Sequence, residues 1–109
     1  MSNLNMEEII FEIIGNAGEA KGLAYEALSF AEQGNYEKAE ELLKESDKAL
    51  LNVHSVQTGL IQEEAAGRKT EVSLLMVHAQ DHLMAAIESK SLIESIIKLH
   101  KKVDEKKKC

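Results

Sequence analysis

The sequence predicts an all-α protein that folds as an antiparallel three-helix bundle. It has 109 residues, no proline and six glycines, and its long stretches of Ala, Leu, Glu, Lys and Ile favour helices. Two short glycine-containing links divide it into three predicted helices, each about 45 Å long. Links this short join only antiparallel neighbours. A single domain over residues 1–109 fits the length.

The first helix is predicted over residues 5–33. Asn5 is a good N-cap, and Gly34 is the residue type expected just after a helix end. Apolar residues recur along this segment at helical spacing and form one stripe, which we expect to face the core. The stripe consists of Met6, Ile9, Ile10, Ile13, Ile14, Ala17, Ala20, Ala24, Ala27, Leu28 and Ala31.

Three glycines lie on a different side of this predicted helix: Gly15, Gly18 and Gly22. Each costs about 1 kcal/mol relative to Ala inside a helix, so a compensating role is expected. Two interpretations stay open. The glycines allow close packing against another helix, or they form a shallow surface where a partner or a phosphate approaches the backbone.

The second helix is predicted over residues 35–66, with Asn35 as its N-cap and Gly67 as its stop. The third is predicted over residues 70–104, with Thr70 as its N-cap. We expect the lysines that follow residue 104 to fray, although lysines near a helix C-terminus suit the helix dipole.

Two apolar stripes run along the third predicted helix. One is expected to face the core of the chain, and its members are Val72, Leu75, Met76, Ala79, Leu83, Ala86, Ile87, Ile93 and Ile97. The second stripe consists of Leu74, Val77, Met84, Ala85 and Leu92. Because a helix in a three-helix bundle has one inward face, we expect the second stripe to contact another copy of the chain.

Asp81 lies within the second stripe. A lone carboxylate among apolar residues is costly unless it is paired or bound to a cation. Around a three-fold axis, three copies of Asp81 would converge, and a hard cation such as Mg²⁺ would join them. The alternative is that Asp81 pairs with a neighbouring Lys or Arg or accepts hydrogen bonds from water.

His78 lies at the edge between the two stripes, and His82 follows one turn later. Histidines at this spacing could bind one metal ion. Neutral imidazole is also abundant at pH 7 and needs no activating base, so His78 could instead attack phosphorus and hold a phosphoryl group. A polar cluster without chemistry is the third interpretation that the spacing leaves open.

Composition excludes several classes of protein. The chain has 13 Lys and Arg against 19 Asp and Glu, a net charge of −6, which argues against general nucleic-acid binding. No apolar run reaches the roughly 20 residues that cross a bilayer, and no signal-peptide pattern is present. Cys109 is the only cysteine, so it cannot form an internal disulfide. We therefore expect a cytoplasmic protein without membrane insertion.

Residues 77–84 read VHAQDHLM, and residues 71–76 before them read EVSLLM. This string resembles the signature of the lactose/cellobiose-type enzyme IIA of the phosphoenolpyruvate-dependent sugar phosphotransferase system. Residues 23–28 (LAYEAL) and 54–61 (HSVQTGLI), followed by EAAG at 64–67, are also similar to the family's pattern. The resemblance covers roughly residues 9–100 in order, and the histidine string is its most specific part.

This resemblance implies an intracellular phosphocarrier that works as a homotrimer of three-helix subunits, nine helices in all. His78 would accept a phosphoryl group from phospho-HPr as tele-phosphohistidine and donate it to a cysteine of the sugar-specific IIB component. Asp81 would bind a divalent ion, Mg²⁺, with one carboxylate from each subunit at the trimer axis. Gln80 and His82 would support the phosphoryl site. The glycine face of the first helix would become a candidate docking area.

Two other functions stay open: a metal-binding bundle that uses His78, Asp81 and His82, and an interaction bundle without chemistry. The sugar is also open, because the membrane component IIC selects it. The resemblance favours a β-linked disaccharide of the cellobiose or chitobiose type, with lactose as the other candidate.

Overall fold

The computed structural model describes the backbone of residues 3–108 and the side chains of residues 6–107. It contains three helices, α1 (Asn3–Glu32), α2 (Tyr36–Ala65) and α3 (Leu74–Lys108), and no strand among the described residues. They form a narrow bundle measuring 60 × 21 × 20 Å. The predicted all-α, three-helix fold is confirmed. Cys109 lies outside the described residues.

Glycine ends the first two helices as predicted. Gly34 has φ +85° and Gly67 has φ +94°, a left-handed conformation that glycine adopts without steric cost. Asn35 caps α2, since its side-chain oxygen accepts a hydrogen bond from the backbone N–H of Lys38 at 3.2 Å. The ends of the first two helices and the start of α2 therefore have the geometry that their local residues predict.

The predicted N-caps of the first and third helices are wrong. Helix α1 begins at Asn3, upstream of Asn5. Helix α3 begins at Leu74, and Ser73 is its cap, because the Ser73 hydroxyl accepts the backbone N–H of Met76 at 3.1 Å. Thr70 and Ser73 are both good caps, but good helix formers directly follow Ser73, whereas β-branched Val72 separates Thr70 from them.

The C-terminal end of α3 also differs from the prediction. The helix continues to Lys108, four residues beyond the expected end at residue 104. Lysines near a helix C-terminus interact favourably with its dipole, which supports the extra turn.

The core lies where α1 packs against the other two helices, and α2 and α3 touch each other far less. Alanines along α1 are fully buried, and their small side chains let the neighbouring helices approach closely. A polar contact lies inside this core: the buried Ser46 hydroxyl donates to the carbonyl oxygen of Ala20 at 2.7 Å. The predicted core stripe of α1 is buried or half-buried throughout.

The buried face of α3 follows the predicted core stripe with two exceptions. Val72 is 72% exposed and Leu75 is 39% exposed. Val72 precedes the helix, so helical spacing does not apply to it. Leu75 lies in the first turn, at the rim of the predicted face. The remaining members are buried or half-buried: Met76, Ala79, Leu83, Ala86, Ile87, Ile93 and Ile97.

The glycine face of α1 does not pack against a helix of its own chain. A side-chain carbon added at Gly15, Gly18 or Gly22 would meet no atom within 4 Å. Close packing against a helix of the same chain is therefore ruled out, whereas a single chain does not test close packing against a helix of another copy or a partner surface.

Candidate functional site

His78 lies in the second turn of α3, and its side chain is exposed. The next residue, Ala79, is fully buried and anchors this turn to the core. The imidazole therefore extends from the helix into solvent, on the rim between the buried face of α3 and its exposed apolar side.

The His82 ring packs against the His78 ring. Their centroids are 4.6 Å apart and their planes meet at 85°, an edge-to-face contact. His82 is half-buried, and because the two rings are in contact, the position of each limits the orientations open to the other. The structure thus brings these two predicted site residues together.

Gln80 points elsewhere. It lies about 200° around the helix from His78, and its side-chain oxygen accepts a hydrogen bond from Gln57 Nε2 of α2 at 2.5 Å. Its own Nε2 lies 3.9 Å from the Met76 sulfur, one turn earlier. Within one chain, Gln80 therefore contacts α2 and not the imidazole of His78.

Gln57 is the residue of this region that sequence reasoning did not single out. It entered only as part of the family-like segment 54–61. The sequence signal for Gln57 was its position: its amide lies on the same side of α2 as the apolar residues Val53 and Leu60. In the structure Val53 is buried and Leu60 is half-buried.

Asp81 is exposed, and its neighbours one turn away, Val77 and Met84, are about half exposed. Among the described residues, no group of three or more His, Cys, Asp or Glu side chains could hold a metal ion. The structure therefore offers no support for a site assembled from His78, Asp81 and His82 of one chain. A shared site with one carboxylate per subunit is a different arrangement, which a single chain does not display.

The second apolar stripe of α3 is exposed along its length, as predicted for one isolated chain. Leu74 is 85% exposed and Leu92 is 56% exposed. The exposed apolar side continues beyond the predicted stripe through Ile96, Leu99 and Val103. Asp81 and Glu88 interrupt this exposed apolar side, which is of the kind that often contacts another protein.

None of the helices in the described part of the chain is long and apolar enough to cross a membrane.

Residues 8–101 match the model of the family described as "PTS system, Lactose/Cellobiose specific IIA subunit". The lichenan-specific phosphotransferase enzyme IIA component of Bacillus subtilis is 46% identical over 105 residues, which cover 96% of each chain.

Two solved structures share the fold. The cellobiose-specific enzyme IIA of Bacillus anthracis superposes with a TM-score of 0.89 at 46% identity, covering 97% of this chain and 95% of that one. The chitobiose IIA in a solution complex with HPr, from Escherichia coli, has a TM-score of 0.78 at 43% identity, covering 90% and 95%. By the extent of both the sequence match and the structural match, the chain belongs to the lactose/cellobiose-specific IIA family of the sugar phosphotransferase system.

Proposed function

We propose that His78 accepts a phosphoryl group from phospho-HPr and donates it to a cysteine of a IIB component. IIA components are phosphotransferase components that carry phosphoryl between HPr and IIB. The observation that carries the assignment to His78 is its geometry: an exposed imidazole on a helix, in contact with the ring of a second histidine. The complex of a related IIA with HPr supports HPr as the donor.

The chemistry is two successive transfers. The free imidazole nitrogen attacks phosphorus, an N–P bond forms on His78, and the N–P bond to the donor histidine breaks. The IIB thiolate then attacks, an S–P bond forms, and the N–P bond to His78 breaks. Imidazole suits both steps because it is neutral and nucleophilic near pH 7.

Nε2 is the proposed phosphorylated nitrogen, giving tele-phosphohistidine, because it lies farther from the backbone and reaches a partner more easily. His82 supports it by restricting the ring orientation of His78. Gln80 acts through its contact with α2, since it does not reach the imidazole of its own chain.

The active assembly is proposed to be a homotrimer with the exposed apolar side of α3 at the subunit contact. This arrangement would bring one Asp81 from each subunit to the three-fold axis. Carboxylate oxygens are ligands that Mg²⁺ prefers, and the ion would offset the repulsion between three negative charges. The residue present therefore fits a shared divalent ion.

The proposed sugar is a β-linked disaccharide of the cellobiose or chitobiose type, with lactose as the second candidate. Support comes from the lichenan-, cellobiose- and chitobiose-specific relatives, each more than 40% identical to this chain. Because the proposed partners are HPr and IIB, we propose that the transfer takes place in the cytoplasm.

Incubation with phosphoenolpyruvate, enzyme I and HPr tests the assignment. The parent chain is expected to gain one acid-labile, base-stable phosphate, while His78→Ala stays folded and gains none. His54→Ala is the matched control, because His54 is also an exposed helical histidine but lies on α2. Phosphate uptake by His78→Ala would exclude His78 as the acceptor, and a chain that takes up no phosphate would favour the interaction-bundle alternative.

A further inference from the structure

The side of the bundle where α2 faces α3 is open, and polar bridges span it at three heights. A groove of about 500 Å³, lined partly by Leu50, Leu51 and Ile87, lies along this side. The bridges are Gln57 with Gln80, Asp47 with Lys90, and Tyr36 with His100 and Asp104. Few other contacts hold α3 to α2, so each bridge adds a restraint between the two helices at its own height.

The first bridge lies at the level of His78, where α3 has few other anchors. In the first six residues of the helix, only Met76 and Ala79 are buried. The adjacent Leu74 and Val77 are exposed. Two buried residues hold these turns to the core, and the hydrogen bond adds a directional restraint on the rotation of α3 against α2.

The amides of this bridge contact residues on either side of His78 in the same helical turn. Gln57 donates to Gln80 at 2.5 Å, and Gln80 reaches back to the Met76 sulfur at 3.9 Å. Met76 and Gln80 lie two residues before and two residues after His78. One side chain of α2 is thus connected to both ends of the helical turn that presents the imidazole.

We propose that Gln57 is a positioning residue for phosphoryl transfer, which holds the first turns of α3 and thereby the direction of the His78 ring. This inference rests on the proposed role of His78 as acceptor. Gln57 acts through Gln80 and does not touch the reacting atoms. Transfer between two proteins requires the nitrogen to be aligned with phosphorus, and small misplacements of a reacting group slow such steps strongly.

Gln57→Met keeps the length of the side chain and removes its hydrogen-bonding atoms. We expect the single-turnover rate of phosphate uptake at saturating phospho-HPr to fall about tenfold, with an unchanged half-saturating HPr concentration. Amide hydrogen exchange is expected to accelerate at residues 76–80 and not in the remainder of α3. Gln57→Ala is measured in parallel, so that the result does not depend on how one replacement packs.

Two further variants separate positioning from stability. Gln57→Glu should restore the rate to within about twofold, because the Gln80 amide can rotate and donate its N–H to the carboxylate. Asp47→Asn weakens the bridge to Lys90 on the same pair of helices, and it should leave the rate unchanged.

The proposal is overturned if Gln57→Met and Gln57→Ala transfer phosphate at the parent rate, or if Asp47→Asn slows transfer equally. Failure of the His78 assignment is a separate outcome. It would appear as phosphate uptake by His78→Ala, while the exchange measurement at residues 76–80 would still report on the bridge.

Discussion

At the scale of single residues, Tyr36 shows how one side chain ties the start of α2 to the end of α3. Its hydroxyl donates to Asp104 Oδ2 at 2.5 Å and lies 2.7 Å from His100 Nδ1. Because the hydroxyl has a single proton, the ring N–H of His100 must donate to the tyrosine oxygen. Desolvation, the hydrogen bond to Asp104 and the charge of Asp104 raise the pKa of Tyr36 from 10.0 to about 12.

The raised pKa predicts an alkaline transition. The neutral phenol is favoured in the folded chain, so its stabilising contribution is complete below pH 10.0 and is lost as the pH rises towards 12. Tyr36 should remain largely protonated at about pH 11. Since the chain has two tyrosines, tyrosinate absorbance of the parent minus that of Tyr36→Phe isolates the Tyr36 curve.

Asp104→Asn is the companion variant for this titration. It removes the charge that opposes ionisation, so the pKa of Tyr36 should move down towards 10.0. A parent Tyr36 that is already fully ionised at about pH 11 would contradict the bonding pattern.

At the scale of helices, nearby residues predict where a helix ends better than where it begins, as the start of α3 shows. Glycine stops need a left-handed conformation, which only a few residue types adopt easily, so Gly34 and Gly67 were predictable. N-caps are less selective, because Ser, Thr, Asp and Asn all serve. Thr70 and Ser73 were both candidates, and the structure selects Ser73.

The cap predicts a specific stability difference. Ser73→Ala should lower the free energy of unfolding by about 1 kcal/mol, because the N–H of Met76 loses its acceptor. Ser73→Asp should retain most of the stability. Thr70→Ala is the matched control and should change nothing measurable, since Thr70 lies outside the helix. Urea unfolding measures all three variants. A larger loss of unfolding free energy for Thr70→Ala than for Ser73→Ala would indicate that Thr70, and not Ser73, caps the helix.

At the scale of the whole molecule, the apolar side of α3 is the main apolar surface that a single chain leaves exposed to solvent. Burying exposed apolar area contributes about 25 cal/mol per Å², and α3 exposes large apolar residues over most of its length. A chain of this size with an alanine-rich core gains from covering that surface. Assembly is therefore expected to contribute much of the stability.

Asp81→Leu tests the proposed assembly. Sedimentation equilibrium of the parent chain should give a trimer, and EDTA should lower its melting temperature by removing the ion that three carboxylates share. The variant should be a trimer at least as stable as the parent and insensitive to EDTA, because replacing buried polar clusters by apolar residues is often neutral or stabilising. It should still accept phosphate, since His78 lies on the neighbouring edge of the helix.

Two results would exclude the shared ion: a parent melting temperature that ignores EDTA, or an Asp81→Leu variant that dissociates into monomers. A parent chain that is a stable monomer at micromolar concentration would also exclude the trimer.

The sequence by itself determined the features that neighbouring residues encode. The two glycine stops, the Asn35 cap, the core stripe of α1 and the exposed second stripe of α3 all depend on residues within a few turns. The histidine string also lies within two turns, so its residues share a small region of α3 in any helical arrangement. Such features can be predicted from the sequence because backbone conformation and helical periodicity depend on residues close together in the chain.

Only the tertiary structure decided how the helices meet. Gln57 and Gln80 are 23 positions apart, and Tyr36 and Asp104 are 68 apart. Whether such pairs touch depends on the rotation and axial position of each helix, which the packing of the whole core determines. The same packing left the glycine face of α1 in solvent and turned Gln80 towards α2, because it fixes which side of each helix faces its neighbours.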